Sequence, residues 1–151
     1  MKSQLFHQSA AVNMTNIQLF PGSLDLASSL LWAQSPEFGA INVFVGTVRE
    51  FTNGNRVIRL EFEAYHQMAL MEMNGIAEQV FQQWDVGKIL IHHRTGSLQV
   101  GEVPVIISVS ATHRGVTFEA CRYIIDTLKK SVPIWKKEIY ENGSSWVAAH
   151  P

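Results

Sequence analysis

The sequence predicts an α+β fold. Three observations carry this. Segments rich in β-branched residues are scattered along the chain, two long helical segments interrupt them at irregular spacing, and turn signals such as Asn53-Gly54-Asn55 join some strands directly. The regular strand-helix alternation of a doubly wound sheet is missing. With 151 residues, 46% of them hydrophobic and 17% charged, such a chain can bury about 68–70% of its unfolded surface in one core.

Taken in order, residues 1–16 (MKSQLFHQSAAVNMTN) lack the continuous apolar run of a signal peptide. They read as a loose N-terminal extension, with Met14 as an alternative start, and residues 17–151 read as one domain. IQLF (17–20) predicts a short strand; Pro21-Gly22 ends it, and Ser23 is placed to cap a helix through about Ala33. FGAINVFVGTV (38–48) is almost continuously apolar and predicts a buried strand. VIRLEFEAY (57–65) alternates, with Val57, Arg59, Glu61 and Glu63 opposite Ile58, Leu60, Phe62 and Ala64. The Asn-Gly loop between the two segments predicts that they pair as a hairpin. Residues 66–84 are rich in Met, Ala, Leu, Glu and Gln, a helical composition. KILIHHR predicts another strand, GSLQVGE a turn-rich loop and VPVIISVSA a further strand. A helix is expected from about Val116 to Ser131, and IWKKEIY is extended.

Charge and cysteine content narrow the function. The net charge is -1, so no global positive field holds this protein on nucleic acid or an anionic membrane, and any anion site must be local. The longest apolar runs fall short of a membrane span. A single cysteine, Cys121, rules out an internal disulfide and a Cys-based zinc site and suits the reducing cytoplasm. Walker, GxSxG and HExxH motifs are absent.

Positive charge is instead concentrated in TLKKSVPIWKKE (127–138). On the helix before the proline, Cys121, Ile124, Ile125 and Leu128 form the apolar stripe. Lys129 lies about 40° from Ile125, at the border of that stripe, whereas Lys130 points away from it. A border lysine either snorkels to water, the ordinary outcome, or has its ammonium partly desolvated in a cleft. Pro133 would clash with the carbonyl of Lys129, so the helix must stop and Lys136 and Lys137 belong to another element. On a strand, Lys136 shares a face with Ile134 and Glu138, and Lys137 with Trp135 and Ile139; a lysine-protected edge strand would look the same. His113-Arg114-Gly115 stands where a strand meets a helix N-terminus, a place suited to gripping an anion, although a surface arginine paired with an acid fits equally well. Arg49 likewise follows an apolar strand. His92 and His93, adjacent on a strand, face opposite ways and cannot form a metal pair; one is expected in the core and one exposed. Cys121, on the apolar stripe, reads as a packed hydrophobe.

FVGTVRE (44–50), LEFEAYHQMA (60–69), IHHRTGSLQVGE (91–102), SATHRGVTFEACRYIIDTLKKSVPIWKKE (110–138) and WV (146–147) together resemble the large, catalytic subunit family of molybdopterin synthase. The resemblance runs in order over most of residues 38–147. It implies an α/β-hammerhead-like fold with an additional antiparallel β-subdomain. The activity it implies is sulfur transfer to cyclic pyranopterin monophosphate (precursor Z), forming the molybdopterin dithiolene. The expected partner is a small ubiquitin-like sulfur carrier whose C-terminal Gly-Gly is a thiocarboxylate, in a heterotetramer built on a homodimer. No cofactor and no metal are expected. By the same resemblance Lys129 is the principal catalytic residue and Lys136 shares its pocket. Arg49, His113 and Arg114 bind the anionic substrate, with Thr47, Val48, Lys137 and Glu138 as neighbours, and Phe44 holds the partner's tail. Many relatives carry lysine where this chain has Thr47. The alternative is a module that docks a Gly-Gly tail or a small anion without turnover.

Overall fold

The structure, a computed structural model, describes residues 14–147. The expected N-terminal extension therefore lies, up to residue 13, outside the described residues, while Thr15 and Asn16 already belong to the first strand. Nine strands and three helices follow among the described residues: β1 (Thr15–Phe20), α1 (Leu26–Ala33), β2 (Ala40–Gly46), β3 (Phe51–Thr52), β4 (Asn55–Ala64), α2 (His66–Gln83), β5 (Lys88–Arg94), β6 (Gly96–Gln99), β7 (Val105–Ala111), α3 (Arg114–Ser131), β8 (Ile134–Tyr140) and β9 (Gly143–Val147). They form a mixed four-stranded sheet, β1-β5-β7-β2, and a five-stranded antiparallel sheet in which β3-β4-β8-β9 is extended by β6 on β4. The α+β class and the additional antiparallel sheet are both present.

The main core lies where the two sheets meet α2 and α3. Ile89, Ile91, Ile107 and Val109 come from the first sheet, Leu60, Phe62 and Ile134 from the second, Met73 and Val80 from α2, and Ile124 and Leu128 from α3. β7 is buried along its whole length, as a continuous apolar strand must be when both faces are covered. The second cover is α1, which packs on β7, β5 and β2. Lys88 reaches from β5 to the end of α1, donating to the carbonyls of Trp32 at 3.0 Å and Gln34 at 3.4 Å. A cation there satisfies carbonyls that the helix leaves open.

The start of α1 differs from expectation. Asp25, not Ser23, is the N-cap, its Oδ1 accepting from Ser28 N at 3.1 Å. Asp25→Ala is expected to lower stability by about 1 kcal/mol, read from a denaturant midpoint shift at unchanged m value. An unchanged midpoint would show that the cap contributes nothing.

Two further expectations are corrected. The segments 38–48 and 57–65 do not form a hairpin: β2 pairs with β7, and the Asn53-Gly54 turn joins β4 to the two-residue β3. The turn itself has positive φ at both central residues, 49° and 79°, as a tight Asn-Gly hairpin requires. What redirects the chain is Val48, whose N–H donates to Glu102 O at 3.0 Å and whose carbonyl accepts from Gly101 N at 2.9 Å. β2 is consequently a half-buried edge strand rather than a buried one. In β4 the alternation holds only from Leu60 onward. The register shifts between Val57 and Arg59, a bulge that reverses the phase, so Val57 is buried and Ile58 is 42% exposed.

Candidate active site

α3 ends as Pro133 dictates, with Val132 as C-cap in extended geometry. The chain turns at once into β8, which runs antiparallel to β4 with Lys136 opposite Phe62 and Glu138 opposite Leu60. Between the end of α3, the start of β8, β4 and the end of β2 lies a cavity of about 430 Å³, within the size range of small-molecule sites. Its floor is apolar, with Leu60, Phe62, Val105, Leu128, Val132 and Ile134 all buried. Its rim is cationic: Arg49 from the segment after β2 and Lys129 from the last turn of α3 are exposed, and the Lys136 side chain is 33% exposed. Phe44, Gly46 and Thr47 complete the wall on the β2 side. Gly46 has structural reason to be there, since an added Cβ would meet Val105 Cγ1 at 2.7 Å.

Strand alternation separates the two lysines of β8. Lys136 faces the cavity beside buried Ile134 and Glu138. Lys137 lies on the other face, its Nζ 5.3 Å from the ring centroid of Trp146 on β9, so the structure does not place it in the cavity. Because β9 pairs along β8, β8 is interior to its sheet and the lysine-protected edge reading is set aside. Glu138 does not line the cavity either. It is 3% exposed and holds Lys136, Oε1 to Nζ at 3.4 Å. Its Oε2 accepts a short hydrogen bond from the Tyr140 hydroxyl, and that bond pushes the phenol upward. Three alternate residues of one strand thus form a chain from tyrosine through carboxylate to the cavity ammonium.

Val48 is a core residue, 3% exposed, beside the cavity rather than in its wall. His113 and Arg114 are exposed at the N-terminal end of α3. Fifteen residues of helix separate Arg114 from Lys129, about 22 Å along the axis. Within one chain the cavity gathers Phe44, Thr47, Arg49, Lys129 and Lys136 but not His113 and Arg114.

The histidine expectation is corrected, because both rings are buried, His92 at 8% and His93 at 5% exposure. His92 Nε2 lies 2.8 Å from Asn16 Oδ1 and its ring meets Phe20 edge to face. His93 lines the cavity, which the sequence reading missed. The missed signal is phase: His93 shares the core face of β5 with Ile89 and Ile91. Desolvation lowers His92 and pushes His93 down to about 4 from an ordinary 6.5. The unfolded chain takes up protons near pH 6.5 while the folded chain does not until about pH 4. Stability is therefore complete above pH 6.5 and falls as pH drops from 6.5 toward 4. His93 contributes on the order of 3 kcal/mol to that loss. Urea unfolding at pH 7 and pH 4.5 tests it: equal stability would refute the buried neutral ring, as would an unaltered pH slope in His93→Leu.

Cys121 is free and buried, with its thiol pushed up to about 11 by burial, which makes it a packing residue rather than a nucleophile. Among the described residues there is no cluster of three or more His, Cys, Asp or Glu placed to hold a metal, and no helix is long and apolar enough to cross a membrane.

Comparison with known proteins fits this geometry. The family model described as MoaE protein matches residues 21–131. The molybdopterin synthase catalytic subunit of Bacillus subtilis (strain 168) is 48% identical over 111 residues, covering 74% of this chain and 71% of that one. A chain of the molybdopterin synthase crystal structure from Staphylococcus aureus superposes with a TM-score of 0.83 at 36% identity, over 87% of this chain and 96% of that one. The complex of subunits 1 and 2 of the molybdopterin-converting factor from Helicobacter pylori 26695 gives a TM-score of 0.74 at 23% identity, over 89% and 93%, a likeness of fold. With a family match across residues 21–131, this chain belongs to the MoaE family, the catalytic subunits of molybdopterin synthase.

Proposed function

We propose that this subunit transfers sulfur from the thiocarboxylated Gly-Gly tail of a small ubiquitin-like partner to precursor Z, at the cavity beside Lys129. The observation that carries the reading is the convergence of Arg49, Lys129 and Lys136, from three separate segments, on the rim of one apolar cavity. Glycines suit an extended tail entering a narrow cleft past Phe44. The thiocarboxylate sulfur attacks a side-chain carbon of the substrate; a C–S bond forms and the C–O bond at that carbon breaks. Lys129 protonates the departing oxygen and stabilises its charge, a role suited to an ammonium at the border of an apolar floor. Water then adds to the acyl carbon of the resulting thioester, the acyl–sulfur bond breaks, and the tail leaves as a carboxylate with the sulfur on the substrate. A second loaded partner repeats the cycle at the neighbouring carbon. Arg49 and Lys136 hold the phosphate through charge-assisted hydrogen bonds, and Glu138 fixes Lys136. The H. pylori two-subunit complex supports a small-subunit partner here, and the reading places the protein in the cytoplasm.

His113 and Arg114 join the same phosphate only if a second copy brings the N-terminal end of its α3 to this cavity, the arrangement we propose for the homodimer. Mixing tests this. Lys129→Ala and Arg114→Ala chains, each expected to convert poorly alone, should regain activity when co-assembled, because one of the two shared sites is then intact. No recovery in verified mixed dimers would remove Arg114 from the site. The function itself is tested by conversion of precursor Z with thiocarboxylated partner; stoichiometric binding without product would favour a docking module.

A further inference from the structure

Among the described residues of the cavity floor His93 is the titratable one, and it differs in kind from the cations of the rim. Its Nδ1 lies 2.7 Å from the backbone carbonyl oxygen of Arg94. A carbonyl only accepts, so Nδ1 carries the proton and Nε2 holds the lone pair. Phe62 meets the ring edge to face at a centroid distance of 5.2 Å, fixing its plane from the β4 side. Among the described residues the hydrogen bond of the ring is made at Nδ1. Nε2 is not among the buried side-chain atoms left without a partner; it belongs to a ring in the cavity lining, where an occupant of the cavity can donate to it.

The position decides what kind of ligand group this acceptor reads. Around His93 the floor is apolar, with Leu60, Val105 and Ile134 buried, whereas Arg49 and Lys129 stand exposed at the rim. A neutral lone pair at the floor repels phosphate oxygens and welcomes an N–H donor. A flat heterocycle with ring N–H groups at one end and a phosphate at the other therefore has one favourable orientation, ring inward and phosphate outward.

Resting on the function proposed above, we infer that His93 is a specificity-determining residue: its Nε2 accepts a hydrogen bond from a ring N–H of the pyranopterin and sets which end of the substrate enters the cavity. Burial, which keeps the imidazole neutral down to about pH 4, leaves that lone pair available at neutral pH.

Two amides of different reach test this. In His93→Asn the amide N–H takes the place of Nδ1 and keeps the bond to the Arg94 carbonyl, while the Nε2 acceptor is lost. In His93→Gln the amide oxygen reaches the Nε2 position. Calorimetric titration with precursor Z, without partner, is expected to show about tenfold weaker binding for His93→Asn and near-normal binding for His93→Gln. In conversion assays the asparagine variant should show the loss as raised KM with kcat little changed. Thermal unfolding of each variant is measured alongside. Wild-type-like affinity in His93→Asn, or equal weakening in both folded variants, would overturn the inference. Failure of the unsubstituted protein to bind and convert precursor Z would instead overturn the function on which it rests.

Discussion

Lys129→Ala is expected to lower conversion of precursor Z by at least about 100-fold while the chain folds normally, the magnitude typical of a lost general acid or base. Local position separates the two effects. Leu128, one residue earlier, is 6% exposed and part of the core, whereas Lys129 is exposed at the cavity rim, so truncating it removes little packing. Alanine also raises helix propensity at this position. Lys130 shares the exposure and the last helical turn but not the cavity, so Lys130→Ala should convert close to the unsubstituted rate. The measurement is single-turnover product formation with thiocarboxylated partner, beside a denaturant curve for each variant. Near-normal turnover in a folded Lys129→Ala protein would end its catalytic assignment.

Glu138→Ala is expected to damage stability and activity together. The carboxylate is buried and receives both the Lys136 ammonium and the Tyr140 hydroxyl. Removing one partner of a fully buried pair costs about 3–5 kcal/mol. Lys136 keeps 33% of its side chain in solvent, which screens part of that, so about 2 kcal/mol is expected. Lys136 also loses the contact that fixes it at the cavity, so substrate affinity should fall even where the protein is folded. Glu138→Gln, which still accepts from Tyr140, should be the milder variant. Equal midpoints and equal substrate affinity in Glu138→Ala and the unsubstituted protein would refute the positioning role.

Legibility in the sequence followed the range of the interaction involved. Pro133 ended α3 as its ring geometry demands, and strand alternation on β8 set Lys136 and Lys137 on opposite faces, with the family resemblance selecting Lys136 as the cavity residue. Both are matters of a few neighbouring residues. The Asn53-Gly54 turn was legible as a hairpin turn, but not that its first arm is β3 rather than β2. That choice rests on Val48 bonding to Gly101 and Glu102, partners some fifty residues away. The bulge in β4 was hidden for a related reason: only the register against β8 reveals the shift at Val57 and Arg59. His93 was readable in principle from its phase with Ile89 and Ile91, yet a histidine at such a position carries no mark of lining a cavity.

By itself the sequence determined most element types, though Gly96–Gln99, expected within a turn-rich loop, forms strand β6 on β4; it also determined the break at Pro133, the separation of Lys129 from Lys130 and Lys136 from Lys137, and, through resemblance, the family. These depend on backbone geometry and periodicity over a turn or two of chain. Only the tertiary structure decided that β2 is an edge strand on β7, that Glu138 holds Lys136 rather than lining the cavity, that His93 forms its floor, and that Arg114 stands about 22 Å down the helix axis from Lys129. Closing a long loop costs little more than closing a shorter one. Competing pairings are therefore distinguished by how well distant side chains pack and bond when they meet, which no local pattern records.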